Sequence, residues 1–313
     1  MPKVSLVAQL ITYIGRREYD AARRLVQVMI QAERSANRES AGRALEEALS
    51  RWPNVMTMKE LPHQIQKLAW SDSSGKAMAD IYLDDDLRAA VHRFVRERQH
   101  ADKLREAGLP MRKTILMGGP PGNGKTSLAS AIAGQLGIPF LSVKMHALVD
   151  SHLGETGRNI ANLLEFAMMN ECVVFLDEFD AIGSEREQSG ESAGKENNRI
   201  VTTLLTNIDR LPDTSVLIAA TNRQDAIDSA LQRRFDLKLW LDHPSELRIA
   251  QYVEDYQQKR GVQFSRDVNE IAADLAGKPW SEVEQTCLDL QKEMILGEST
   301  DAEWIGKQES LAI

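Results

Sequence analysis

The stretch GGPPGNGKTS, Gly118 to Ser127, limits what this chain can fold into more than any other part of it. It satisfies G-x-x-x-x-G-K-[ST] at Gly119, Gly124, Lys125 and Thr126. It also stands between a short apolar run, TILMG, and the helix-like KTSLASAIAGQLG, whose last glycine suits a C-terminal cap. That context predicts strand, loop and helix in succession. Glycines let consecutive backbone N–H groups turn toward phosphate oxygens, and the helix N-terminus adds partial positive charge. In such a loop Lys125 reaches the outer phosphates and Thr126 ligates Mg2+. Gly119, Pro120, Pro121, Gly122, Asn123, Gly124, Lys125, Thr126 and Ser127 are therefore the candidate nucleotide-binding residues.

The flanking sequence continues the alternation. IPFLSV, CVVFLD, SVLIAAT and LKLWL read as further strands, spaced by the helix-like RNIANLLEFAMM and NRIVTTLLTNIDRL. Unbroken apolar runs separated by helices indicate a parallel sheet covered on both faces. After His243-Pro244 the chain turns helical through SELRIAQYVEDYQQKRG, DVNEIAADLAG and WSEVEQTCLDLQKEMILG, the last opening on a capping box of Ser281 and Glu284. Before the alternation, residues 1–60 read as three helices, broken at Gly15 and closed at Trp52-Pro53. Their apolar stripes are Leu25, Met29 and Ala32, then Ala41, Leu45 and Leu49. The turn-rich SDSSGK marks a joint. These shifts predict a helical bundle over 1–60, a linker over 61–79, an α/β unit over 80–243 and a small helical unit over 244–313.

Further candidates for chemistry lie at strand ends. CVVFLDEFD places Asp177 and Glu178 where an apolar strand meets the phosphate-binding edge. In phosphoryl transfer one acid holds hydrated Mg2+ and another polarises the attacking water, roles that suit Asp177 and Glu178 respectively. Asp180 reads as a cap of the next turn. IAATN ends on Asn222, whose amide suits the γ-phosphate or the same water. ALQRRFDLKLWL raises a separate problem. Arg233 and Arg234 stand side by side, and no acid on their N-terminal side lies close enough to pair with both.

Composition excludes several classes. A formal net charge of −8 and a pI near 5.4 disfavour non-specific attraction to nucleic acid or anionic membrane. No apolar run approaches the roughly 20 residues of a membrane helix. At the start, Leu6, Leu10 and Ile14 repeat at helical spacing with no small-residue cleavage site after them, which reads as an amphipathic helix and not a leader. Two distant cysteines, Cys172 and Cys287, speak for a reducing compartment, hence the cytoplasm.

GPPGNGKT, VVFLDEFDAIGSER, IAATN and RRFD, in this order, make residues from about 80 to 295 resemble the AAA+ ATPases, and within them the AAA branch. The resemblance implies a RecA-like P-loop α/β core with a parallel sheet, a small C-terminal helical lid, ATP and Mg2+ as ligands, and homo-oligomeric rings, usually hexamers. It also implies that the nucleotide sits at a subunit boundary, where an arginine of one copy reaches the γ-phosphate bound by the next. The family usually separates two such arginines by Pro-Gly; here the spacer is missing, so Arg233 and Arg234 are both candidates. Early in the third lid helix AGKPWSEVEQ has no arginine, as in the AAA branch, and Lys278 there reads as a solvated surface lysine. The resemblance places a substrate-gripping pore loop at His152, Leu153 and Gly154, with histidine where the family has an aromatic, and a second over Arg186 to Arg199. The layout is similar to small bacterial AAA ATPases often paired with a subtilisin-like protease.

The leading expectation is a Mg-ATP-driven ring that remodels or unfolds a protein partner recruited by the N-terminal helices. A nucleotide-switched scaffold, or a regulator of a partner enzyme such as a protease, is the alternative. A nucleic-acid motor or loader fits the acidic pI and the absent aromatic-basic patch poorly.

Overall fold

The computed structural model describes residues 4–15, 19–35, 38–50, 61–71, 76–148, 155–183 and 191–296. Three helices come first, α1 (Val4–Gly15), α2 (Tyr19–Ser35) and α3 (Glu39–Ser50), followed by α4 (His63–Leu68) and β1 (Ala69–Ser71). Next are α5 (Asp85–Gln99), α6 (Ala101–Glu106), β2 (Thr114–Gly118), α7 (Lys125–Leu136), β3 (Phe140–Val143), α8 (Met145–Leu148) and α9 (Glu155–Met169). Then β4 (Val173–Leu176), α10 (Asp180–Gly183), α11 (Glu191–Arg210), β5 (Val216–Thr221), α12 (Ser229–Gln232) and β6 (Leu237–Trp240) complete the alternation. The last elements are α13 (Glu246–Arg260), α14 (Val268–Asp274) and α15 (Trp280–Leu296).

The six strands form one sheet in the order β1-β3-β4-β5-β2-β6. The five strands legible in the sequence pair in parallel, as expected. β1 was not foreseen: it pairs antiparallel to β3, Trp70 opposite Ser142, inside the stretch read as a linker. Its three residues, AWS, are too few to show a period.

Parallel pairing demands cover on both faces, and the alternation of β-strand side chains supplies two apolar faces from one run. Leu116, Val174, Leu176, Leu217 and Ala219 face one core with Ile160 and Leu163 of α9 and Leu204 and Ile208 of α11. Ile115, Met117, Val173, Phe175, Ile218 and Ala220 face the other with Phe94 of α5 and Leu128 and Ile132 of α7. A third core belongs to the C-terminal helices, where Ile249, Val253, Ile271, Val283 and Cys287 pack together. Gly137 and Gly261 end α7 and α13 in the left-handed conformation that a C-terminal glycine provides.

Two sequence expectations shift. Among the described side chains of α2 the buried apolar ones are Ala22, Val26, Met29 and Ile30, whereas Leu25 is half-buried and Ala32 exposed. This stripe continues to Glu33, a buried carboxylate 3.4 Å from the Arg38 guanidinium, which an apolar criterion passes over. Likewise Ser281 and Glu284 form no capping box. α15 starts two residues earlier, with the Pro279 carbonyl accepting from the Glu282 and Val283 amides, and Glu284 pairs with Lys76 instead. No helix among the described residues is long and apolar enough to cross a membrane. Cys172 and Cys287 are free and buried, and burial pushes both thiols up to about 12.

Candidate active site

β5 lies between β4 and β2, so the strand order brings three C-terminal ends together. Gly118 pairs with Thr221, and Leu176 with Ala219. The residues that follow are the glycine-rich loop, Asn222 and Asp177, which therefore share one crevice beyond the sheet. They line a cleft of about 390 Å³ together with residues of the C-terminal helices.

The loop's glycines answer to close approaches. At Gly119, φ is 141° and a Cβ would collide with the Leu241 carbonyl; at Gly122, φ is 78° and a Cβ would collide with the Ser281 hydroxyl. The Ser281 amide donates to the Gly122 carbonyl at 3.0 Å. Asn123 is buried between them. Its Nδ2 donates to the Leu241 carbonyl at 3.2 Å and its Oδ1 accepts from the Trp280 amide at 3.4 Å. Asn123 thus fastens the loop to the end of β6 and to the start of α15.

Lys125 is buried at the N-terminus of α7, and Nζ donates to the carbonyls of Gly119 and Pro120 at 2.8 and 2.9 Å and to Asn222 Oδ1 at 2.7 Å. Burial holds its pKa below the usual lysine value, and the charges of Asp177 and Asp180 oppose that shift. The Thr126 hydroxyl donates to Asp177 Oδ2 at 3.2 Å. Glu178 is exposed in the cleft, and its amide donates to Asp177 Oδ1 at 2.9 Å. Its φ of 47° is the one positive value at a non-glycine residue among the described residues. Left-handed backbone in a glutamate is costly, and such strain collects at working sites. Asp180 Oδ1 accepts from the Thr221 hydroxyl at 2.8 Å, and among the described residues it makes no bond to an amide of its own turn.

The two arginines lie outside this cleft and differ from each other. Arg234 Nε sits 3.2 Å from Asp209 Oδ1, both about half-exposed, while the Arg234 carbonyl accepts from the Thr114 hydroxyl at 2.9 Å. Arg233 is exposed at the C-terminus of α12, and its side chain has no ion pair among the described residues. Lys278 pairs with Glu282 at 3.0 Å and does not line the cleft. His152, Leu153 and Gly154 lie outside the described residues, and the second loop is described only from Glu191 onward.

Sequence reasoning missed the far wall of the cleft. Tyr82, Tyr252 and Trp280 come together with ring centroids 5.2 to 5.6 Å apart. The Tyr82 hydroxyl donates to Asp255 at 2.5 Å; burial, then this bond, raises its pKa. Tyr82 belongs to a strap, residues 76–85, tied to the C-terminal helices at both ends. Lys76 pairs with Glu284, Asp80 with Lys259 at 2.7 Å, and Asp84 and Asp85 with Arg248 at 3.6 and 2.5 Å. The available signal was the acid-rich run DIYLDDD, whose tyrosine is flanked by charges that need partners.

A parallel sheet with a glycine-rich loop at its switch point, a buried lysine in that loop and an acid pair on the adjoining strand define a P-loop nucleotide-binding fold. Comparison with known proteins narrows this. Residues 115–243 match the ATPase family associated with various cellular activities (AAA), and this stretch is an AAA-family ATPase domain with the RecA-like core of that family. The chain is 40% identical over 203 residues to an uncharacterized AAA family ATPase, y4kL, of Sinorhizobium fredii, covering 65% of this chain and 60% of that protein. It is 36% identical over 176 residues to the ATP-dependent zinc metalloprotease FtsH 3 of Synechocystis, covering 55% of this chain and 28% of that protein. With the probable 26S proteasome regulatory subunit 10B of Caenorhabditis elegans it shares 33% identity over 228 residues, 70% of this chain and 56% of that protein. The chain therefore spans 60% or less of the length of these relatives.

Proposed function

We propose that this chain hydrolyses Mg-ATP, assembles as a homo-oligomeric ring of six copies, and remodels or unfolds a protein partner. One observation carries the reading: Lys125, the Thr126–Asp177 pair, Glu178 and Asn222 meet in one cleft, while Arg233 and Arg234 stand away from it. Loop amides and Lys125 bind the phosphates; Lys125 exchanges its loop-carbonyl contacts for phosphate oxygens. A hydroxyl and a carboxylate 3.2 Å apart fit Mg2+, which takes few protein oxygens and keeps its remaining positions for water and phosphate. Bound there, the metal would neutralise charge on the phosphates. Glu178 accepts the proton of the attacking water, and Asn222 orients that water. An arginine of the neighbouring copy stabilises charge on the transferred group, so turnover depends on assembly.

Two relatives bear names from protein degradation, which supports a protein as substrate or partner. Recruitment would fall to residues 1–60, where α1 has no charged residue from Val4 to Gly15 and leaves Ile11 65% exposed. Residues 80–243 would be the catalytic unit and 244–313 its lid. Two buried thiols suit the cytoplasm. A second reading, a nucleotide-switched scaffold or regulator of a protease, is favoured by His152, which removes less apolar surface from water than a tyrosine does.

The test is phosphate release across a concentration series with unfolded protein, with DNA and with neither. Stimulation by polypeptide is expected. Slow, unstimulated turnover by assembled protein would favour the scaffold, and stimulation by DNA would overturn both. Glu178→Gln should bind ATP with turnover reduced by about a hundredfold or more, while Lys125→Ala should lose ATP binding. Equal loss of affinity in the two variants would contradict the assigned roles.

A further inference from the structure

We propose that Asp180 and Thr221 are a pair of positioning residues that fix Asn222 against Lys125 by directing the single proton of the Thr221 hydroxyl. The inference rests on the ATP-hydrolysing reading of the cleft. Thr221 is the last residue of β5, opposite Gly118 in the sheet, and is 1% exposed. A hydroxyl has one proton and two lone pairs. Here the proton goes to Asp180 Oδ1 at 2.8 Å, so a lone pair is free to accept from the Arg223 amide at 2.9 Å.

That second bond, from residue i+2 back to the side chain of residue i, is a hydroxyl-closed turn around Asn222. It sets the backbone that delivers Asn222 Oδ1 to within 2.7 Å of Lys125 Nζ. Asp180 is itself anchored. The Phe179 amide donates to the Ala220 carbonyl at 2.8 Å, carrying the contact between the two chain segments past the end of β4. The segment bearing Asp177 and Glu178 and the turn bearing Asn222 are thereby held in one register by a carboxylate and a hydroxyl that need not touch the nucleotide. A bare capping aspartate would leave the Asn222 turn to solvent; the observed bond crosses 41 residues of chain to reach it.

The experiment compares Thr221→Val and Asp180→Ala with Thr221→Ser and Asp180→Asn in the full chain, by steady-state hydrolysis of Mg-ATP alongside thermal unfolding. Valine matches threonine in shape without the hydroxyl; serine keeps the hydroxyl, and asparagine keeps an acceptor without charge. Val and Ala should each lower kcat by roughly tenfold, the kinetic equivalent of one hydrogen bond, with KM changed by less than about threefold. Combining them should cost little beyond either alone, while Ser and Asn should recover most of the rate. If Ser is as slow as Val, or Asn as slow as Ala, the hydrogen bond is not what matters and the inference fails.

A readout independent of turnover keeps it separate from the ATPase reading. The side-chain amide resonances of Asn222, assigned with Asn222→Asp, should move in the Val and Ala variants and stay in place in the Ser variant. If the parent hydrolyses no ATP but these shifts appear, the ATPase reading falls and the positioning pair stands. If they are unmoved in every folded variant, the pair does not position Asn222.

Discussion

At the scale of single residues, the sharpest contrast is between two adjacent arginines of the same type. Arg234 is committed within its own chain through Asp209 and a pinned carbonyl, whereas Arg233 meets no carboxylate among the described residues. A half-exposed ion pair contributes only about 0–1 kcal/mol, so Arg234 is oriented more than it is stabilised. Arg233 is then the better placed to serve a neighbouring cleft. Arg233→Ala should lose hydrolysis by about a thousandfold with ADP binding retained, and Arg234→Ala should lose far less. Asp209→Ala should resemble Arg234→Ala. Mixing Arg233→Ala with Glu178→Gln subunits should return part of the activity. No recovery in demonstrably mixed assemblies would rule out action between copies. Most of these residues were legible in the sequence, because a lysine after glycines or paired acids after an apolar run have few other uses. Thr221 was not, since its carboxylate partner Asp180 stands 41 positions away, and Asn123 was legible only as part of the phosphate loop, not as the link to the Leu241 carbonyl. The left-handed backbone of Glu178 left no trace either, because residue type argues against it.

At the scale of elements, long apolar strands announced themselves and short ones did not. β2, β4 and β5 are buried at every residue and read directly as strands, while β1 needs its partner β3 to be a strand at all. The strap over 76–85 belongs with β1: its structure lies in its contacts. Four acids and three cations hold it to α13 and α15, and Arg248, with a side chain only 12% exposed, bridges Asp84 and Asp85. Because Tyr82 on this strap walls the cleft, loosening it should weaken nucleotide binding without touching the phosphate loop. Arg248→Ala should raise the Kd for ADP by roughly fivefold in dilute buffer, about the worth of one well-formed surface network. In 1 M salt, where the screening length falls to about 3 Å, parent and variant should converge. A variant indistinguishable from the parent at low salt would show that the strap is held by Tyr82 and its aromatic neighbours alone.

At the scale of the whole molecule, the cleft occupies the seam between two separately packed interiors. The sheet has its own apolar cores and the C-terminal helices have theirs; what crosses between them is narrow, namely the bonds of Asn123 and the Ser281 amide and the strap with its ion pairs and the ring of Tyr82. Apolar burial makes each interior cooperative within itself, whereas a few polar bonds and one ring contact couple them more weakly. Calorimetry of the protein without nucleotide should therefore resolve the C-terminal helices melting ahead of the sheet. A bound nucleotide touches both sides and acts as a splint across the seam. With ADP at about a hundred times its Kd the later transition should rise only modestly, while the earlier one moves up to meet it, since about 2.7 kcal/mol of linkage is then charged to any opening of the seam. Two transitions that stay apart under saturating ADP would place the ligand on the sheet side alone. Joined in this way, the helices register what lies in the cleft as a change in their own melting point, and a partner resting on them would feel each nucleotide arrive and leave as a stiffening and softening of its support.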